Sequence, residues 1–375
     1  MTQAEIARST GLSAATVSNI VRGLAEVGVF DVGPTSSTGR RGRIVRLSRS
    51  RGVALGIDFG HSHLRVAVGD AGDHILAEEV VPLEVDASAT DGCDLATRLL
   101  ERLLDGAGVA RSEVVGAGIG IPGPIDAATG AVGSSVIVPG WDGIRPAEEM
   151  GRRLGVPVLV DNDANLGALG ESLYGAARGR GDAAYIKVAT GVGAGLIIGG
   201  QIYRGEGGTA GEIGHVTIDE QGPVCRCGNR GCLETFAGAP FLLELLRHSH
   251  GGDLTFARLI ELAAHGDAGC CRVIADAGRY IGVAVANLCN LLNPGMVVVG
   301  GDLAGLGDLL LGPIRATVGR QAIPSATRRV EIVNGTLGAR AEILGALVVA
   351  FSAATPLLVA GLPETSPVNS KVATR

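Results

Sequence analysis

The densest chemistry in this sequence lies in residues 211–234, GEIGHVTIDEQGPVCRCGNRGCLE. Cys225, Cys227 and Cys232 stand in a C-x-C-x4-C array, and His215 precedes the first of them by ten residues. Three thiolates and an imidazole form the donor set of a tetrahedral Zn²⁺ site, and four protein ligands leave no open position, so a structural role is expected. Gly228 and Gly231 let the chain turn tightly between these ligands. The other cysteines, Cys93, Cys270, Cys271 and Cys289, lack companions at such spacing and read as small apolar core residues.

Two glycine-rich turns form a second group: Asp58-Phe59-Gly60-His61-Ser62 and Thr190-Gly191-Val192-Gly193-Ala194-Gly195. Glycine lets backbone N–H groups approach phosphate oxygens, and an acidic residue at the first turn can hold hydrated Mg²⁺. Either turn alone is equally well a tight connection between strands.

Each turn must be carried by strands. VALGIDFG returns as LRVAVGD, and AAYIKVATG returns as GAGLIIGG, so the same strand–turn–strand unit occurs twice, a weak internal duplication of about 120 residues. A helix over about Leu95–Leu104 and a further strand, VVGAGIGI, complete the first unit. This duplication predicts an α/β protein with two lobes facing across a cleft, over residues 51–165 and 166–362, followed by a flexible tail at 363–375. The length of 375 residues, with 46% hydrophobic and 19% charged residues, suits two to three domains and excludes a disordered chain or a fibre.

Residues 1–51 carry a net charge of +5, whereas the remaining 324 carry −11. Only this basic head is suited to a polyanion such as DNA. Thr2-Gln3-Ala4-Glu5 has the form of a capping box, Gly11 provides a turn, Ser13 can cap a second helix, and Val17, Ile20, Val21 and Leu24 recur at helical spacing. Two short strands, Val29–Val32 and Arg43–Leu47, then flank an arginine-bearing loop. The order matches a winged helix-turn-helix over residues 1–50, more specific than a helical hairpin with a basic linker. Its second helix would present Ser13, Thr16, Ser18, Asn19 and Arg22 to a major groove of double-stranded DNA, and its wing would bring Arg40, Arg41 and Arg43 to the backbone or minor groove. The first helix of such a head is missing, since Met1 falls where the second of three should begin. An upstream segment or a partner element is therefore expected to cover Ile6, Val17, Ile20 and Leu24.

The absence of an apolar leader in MTQAEIARST and an odd cysteine count of seven fit a reducing, cytoplasmic location. Ile343–Leu362 is a run of twenty uncharged residues, long enough for a membrane span, but Ser352, Thr355 and Pro356 interrupt it, and a packed terminal helix is expected, with no membrane association. Such a helix can pack back onto the first lobe.

Taken together, these features resemble the ROK family of repressors, open reading frames and sugar kinases. The resemblance spans almost the whole chain. It rests on Glu212-Ile213-Gly214-His215, the cysteine motif with Glu234, the acidic motif Asp161-Asn162-Asp163-Ala164-Asn165, the Gly300-Gly301 pair in NPGMVVVGGDL, and the winged head of the regulatory branch. It implies a two-lobed actin-like, ribonuclease-H-like fold with a sugar site between the lobes, contacted by Asn162, Asp163, Glu212, His215 and Glu234. It further implies a sugar-responsive transcriptional regulator of the repressor type, binding a sugar or sugar phosphate and acting as a homodimer or higher oligomer on a roughly palindromic operator. The alternative is an ATP-dependent, glucokinase-like sugar kinase. There Asp163 would be the general base, while Asp58, Gly60, Ser62, Thr190, Gly191, Gly193, Gly300 and Gly301 would position Mg-ATP, a cofactor implied only in that case. Asp161 and Asp163 also suit a helix cap, and the two roles are compatible. The family's kinases usually carry a second glycine where this sequence has His61, with Thr in place of Ser62, so an imidazole is expected to intrude on the phosphate turn.

Overall fold

The computed structural model describes residues 2–26, 30–34, 43–47, 52–71, 74–84, 88–133 and 138–359. Val29, Arg40 and Arg41 of the wing, and the tail at 363–375, lie outside the described residues.

In the head, α1 (Gln3–Thr10) opens on the expected reciprocal cap: Thr2 Oγ1 accepts from the Glu5 N–H at 3.2 Å, and the Glu5 carboxylate accepts from the Thr2 N–H at 2.7 Å. Gly11 ends the helix at φ 70°, a left-handed conformation that suits glycine. The Ser13 hydroxyl accepts from the Thr16 N–H at 3.1 Å at the start of α2 (Ala14–Glu26). Strands β1 (Phe30–Pro34) and β2 (Arg43–Leu47) pair antiparallel, Phe30 opposite Leu47. Val17 and Val21 of α2 pack with Val45, and Ile6, Ala7, Phe30 and Val32 surround them. Ile20, one of the positions for which a covering element is expected, is 46% exposed. The i, i+4 pair Val17 and Val21 takes the inward face, and Ile20 falls beside it.

The body contains two sheets of the same plan. In the first, β3 (Val53–Phe59), β4 (His63–Asp70) and β5 (Ile75–Pro82) form an antiparallel meander. Strands β6 (Val114–Ile121) and β7 (Val158–Asn162) then add in parallel beside β3. In the second, β8 (Ala183–Val188), β9 (Val192–Ile198) and β10 (Gln201–Ile202) meander, while β11 (Met296–Gly300) and β12 (Glu331–Asn334) add in parallel beside β8. The strand orders are β5-β4-β3-β6-β7 and β10-β9-β8-β11-β12, so the duplication read from the turns extends to whole sheets. The first sheet packs on α3, which runs Ala89–Ala107, longer than the stretch expected because Ser88 caps it early. The second buries its face under α7 (Ala239–His250), α8 (Phe256–Ala264), α9 (Ala268–Leu292) and α10 (Asp308–Gln321).

The last strand of each sheet feeds a helix that packs on the other sheet. From β7 the chain enters α5 (Asp163–Leu173), which lies on β8 and β9; from β12 it reaches α12 (Ala341–Val359), which lies on β3 and β6. The two helices also pack on each other. Their approach requires glycine: a Cβ on Gly345 would lie 2.0 Å from the Leu166 carbonyl oxygen. The start of the apolar C-terminal run is thus buried packing helix, with Ile343, Ala346 and Ala350 all 0% exposed. No helix among the described residues is long and apolar enough to cross a membrane.

Candidate functional site

The carboxyl ends of β3 and β7, the start of α5 and the turn after β8 converge on a cleft of about 240 Å³. Asn162, Asp163, Glu212, His215 and Glu234, drawn from two stretches about 50 residues apart, all line it. Asp58, Gly60, Ser62, Thr190, Gly191, Gly193 and Gly301 line it as well. Gly300 does not: it ends β11 against the Tyr185 ring, where a Cβ would come within 2.2 Å of the hydroxyl oxygen, so its small size serves core packing. The expected pair contributes only Gly301 to the cleft.

Asn162 caps α5, its Oδ1 accepting from the Ala164 N–H at 2.8 Å, while its Nδ2 donates to the Gly123 carbonyl at 3.2 Å. Asp161 is committed to structure: Arg204 Nη2 and Nε donate to it at 2.6 and 2.9 Å, and Asn165 Nδ2 at 2.8 Å. Asp163 accepts from the Ala164 N–H at 2.7 Å through Oδ1 and from Lys187 Nζ at 2.8 Å through Oδ2. The cap expected of these acids falls instead to Asn162: Asp163 sits in the first turn of α5, Asp161 precedes the cap, and only Asp163 faces the cleft. Lys187 Nζ stands 3.4 Å from Glu342 Oε1, which also accepts from the Tyr185 hydroxyl at 3.0 Å.

Asp58 is 1% exposed, its Oδ2 3.3 Å from His63 Nε2. Its Oδ1 is buried without a hydrogen-bond partner among the described residues. Burial pushes the Asp58 carboxyl up, but the His63 hydrogen bond and the Lys187 charge outweigh it and hold the group below its ordinary range. Burial, aided by the charges of Asp163 and Glu234, pushes Glu212 up to about 7. Glu234 is paired with Arg226 Nε at 3.1 Å. His61 projects from the first turn toward the second: its Nε2 is 3.9 Å from where a Cβ on Gly191 would lie, and burial holds its pKa below the ordinary value. His61 thus lines the cleft close to Gly191 of the second turn.

Beside the cleft, the ligand atoms of His215, Cys225, Cys227 and Cys232 lie within 4.8 Å of one another and could hold a metal ion. Cys225 Sγ is 3.6 Å from His215 Nδ1, and Cys227 Sγ is 3.7 Å from Cys232 Sγ. With metal–sulfur bonds near 2.3 Å and metal–nitrogen bonds near 2.0 Å, the sulfur–sulfur and sulfur–nitrogen edges of a tetrahedron are about 3.8 and about 3.5 Å, so the donor set fits such an ion. The His215 Nδ1 faces the thiols, whereas its Nε2 lies 3.9 Å from Glu212 Oε2 on the cleft side. Cys270, read as a lone core cysteine, has His250 and Asp267 beside it; Asp267 Oδ1 accepts from the Cys270 N–H at 2.9 Å and caps α9.

On the head, Ser13, Ser18, Asn19 and Arg22 are exposed along α2 and Thr16 is half-buried. Arg22 Nη2 donates to Asn19 Oδ1 at 2.5 Å. Arg43 lies at the first position of β2.

Lys187 and Glu342 were not singled out as site residues by the sequence. The signals were there: Lys187 is the lone charge in the apolar strand AAYIKV, and Glu342 is the last acid before the uncharged run.

Comparison with known proteins places these features in one lineage. The ROK family profile matches residues 54–352. The xylose repressor of Caldicellulosiruptor bescii is 30% identical over 369 residues, covering 94% of this chain and 92% of that protein. The glucokinase of Halalkalibacterium halodurans is 34% identical over 307 residues, covering 78% of this chain and 92% of that protein. Among solved structures, a ROK family transcriptional regulator described as a homologue of the E. coli MLC protein superposes with a TM-score of 0.75 at 24% identity, over 96% of this chain and 93% of that one, a likeness of fold. The chain belongs to the ROK family, and its body has that family's two-lobed, actin-like α/β fold.

Proposed function

We infer that this protein is a sugar-responsive transcriptional regulator of the repressor type. The observation that carries the reading is the union, in one chain, of a basic helix-turn-helix head with a hydroxyl-recognising cleft. The match to a xylose repressor along nearly its full length supports it, because the glucokinase match leaves out a fifth of this chain.

In this reading the sugar lies between the lobes. The Asp163 and Glu234 carboxylates and Asn162 offer acceptors and a donor to adjacent hydroxyls, Glu212 can accept or donate, and His215 faces them through Nε2. The metal held by His215, Cys225, Cys227 and Cys232 is proposed to be zinc, which supplies a fixed tetrahedral clamp on the loop and no reaction chemistry. With Nδ1 committed to the thiolate side, His215 keeps its Nε2–H as a donor toward the cleft. Closure of the lobes on the sugar would act through α5 and α12, which tie each sheet to the other, and so alter the spacing of paired heads. The heads would use Ser18, Asn19 and Arg22 at base edges and Arg40, Arg41 and Arg43 at the backbone, and a homodimer would read a two-fold operator.

A kinase reading has Asp163 as general base, and the glucokinase relative supports it. Against it stand the Lys187 ion pair on Asp163 and the His61 ring close to Gly191 of the second turn. A thermal-shift screen with neutral monosaccharides and sugar phosphates tests the sugar site, since ligand at about a hundred times Kd stabilises by about 2.7 kcal/mol. A selective rise for one sugar is expected, and no rise for any sugar contradicts the reading.

A further inference from the structure

Three buried carboxylates meet at the floor of the cleft, each delivered by a different element: Asp58 from the end of β3, Asp163 from the start of α5 and Glu342 from the start of α12. Their side chains are 2%, 10% and 6% exposed. Three carboxylates converging with water-sized access describe a seat for a hard divalent cation, which prefers anionic oxygen ligands. Here one strand position fills the seat. Lys187, on β8, extends its ammonium to 2.8 Å from Asp163 Oδ2 and 3.4 Å from Glu342 Oε1, and its charge also acts on Asp58. Among the 375 residues only one other lysine occurs, Lys371.

We propose that the Lys187 ammonium is a resident cation that takes the place of a divalent metal ion at the floor of the cleft, so that ligands bind there without Mg²⁺ and the site is closed to Mg-dependent phosphoryl transfer. Burial works against the ammonium, yet Asp163, Glu342 and Asp58 outweigh it and keep Lys187 protonated well above the ordinary lysine range. The cation is therefore permanent at any physiological pH. A fixed ammonium and Mg²⁺ are not equivalent. Phosphoryl transfer needs an ion that bridges phosphate oxygens and neutralises developing charge, whereas this ammonium has its donors directed at protein carboxylates. Asp163 is affected most directly: the oxygen that would take a proton from an attacking hydroxyl already accepts from Lys187. The unpartnered Asp58 Oδ1, buried at the same floor, is the atom left over when an ion-binding carboxylate is no longer needed for an ion. This role rests on the sugar-site reading only for what else enters the cleft, and its test uses a metal ion alone, so failure of one is separable from failure of the other.

The test is titration of the full chain with Mn²⁺, read by calorimetry and by the electron-spin signal of free Mn²⁺; the cysteine–histidine cluster, with its soft ligands, competes poorly for this ion. Wild-type protein is expected to show no saturable Mn²⁺ site at the cleft. Lys187→Ala is expected to gain one site per chain with affinity raised about tenfold or more, as when an acidic oxygen cage loses its internal counter-ion. That gain should vanish in Lys187→Ala combined with Asp58→Asn. If Lys187→Ala does not fold, Lys187→Met with Glu342→Gln removes one charge of each sign and should still bind Mn²⁺ more tightly than wild type. A wild-type Mn²⁺ site that is lost in Asp58→Asn overturns the proposal, and so does a folded Lys187 variant with no gain.

Discussion

Cys227→Ser isolates what the metal cluster does for the cleft. The substitution removes one of four donors that lie within 4.8 Å of one another and puts a neutral hydroxyl where a thiolate is required. The change should not unfold the body. Leu233 is 0% exposed within the second core and anchors the chain just past Cys232. What becomes free is the ring of His215 and the placement of Glu234, which is held besides by its 3.1 Å contact with Arg226. Each offers a hydrogen bond to a bound sugar worth about 0.5–1.5 kcal/mol net, so the pair amounts to about 1–3 kcal/mol. At about 1.4 kcal/mol per factor of ten, sugar affinity should fall roughly 5- to 150-fold. The midpoint of thermal unfolding should fall by only about 2–4 °C per kcal/mol lost in a body of this size. Metal analysis by mass spectrometry should give one zinc per wild-type chain and none in the variant, with calorimetry reporting the sugar. Metal-free wild-type protein, or a metal-free variant that binds sugar as tightly as wild type, would refute the reasoning.

Asp163→Asn keeps an acceptor in the cleft but breaks the ion pair with Lys187, so sugar affinity should drop by about 1–2 kcal/mol while DNA release persists at higher sugar; any sugar-dependent ATP turnover should fall by about 10²–10⁴ if Asp163 is a base. Glu171→Ala removes a buried carboxylate that accepts from the Ala176 N–H at 2.7 Å and the Leu337 N–H at 2.9 Å. With those donors orphaned, stability should drop by about 3 kcal/mol, seen as a lowered denaturant midpoint at unchanged slope. Arg22→Ala, at a base-reading position, should weaken operator binding by about 1–3 kcal/mol and relax specificity at the base it reads; a salt slope lower by about 0.9 with specificity unchanged would move Arg22 to the backbone.

The features legible in the sequence are those whose chemistry is local. The cysteine spacing, the Thr2–Glu5 capping box and the paired strand turns each lie within a few residues, and the structure forms all three. The floor of the cleft was not legible, because Lys187 meets Asp163 across 24 positions of sequence and Tyr185 meets Glu342 across 157. The packing of α5 on β8 and of α12 on α5 brings them together. Cys270 is similar: its neighbour His250 comes from the end of a preceding helix, 20 positions away. Gly300 departs from expectation for a different reason. Residue type does not say which of two adjacent glycines faces the cleft, and packing against Tyr185 decides it.

Operator binding with and without sugar tests the central claim most directly. Fluorescence anisotropy of an operator duplex, at fixed salt, should show affinity changing by at least about tenfold at saturating sugar, a coupling of about 1.4 kcal/mol, with no requirement for Mg²⁺ or ATP. Operator affinity that stays constant under every sugar shown to bind the cleft would contradict the account.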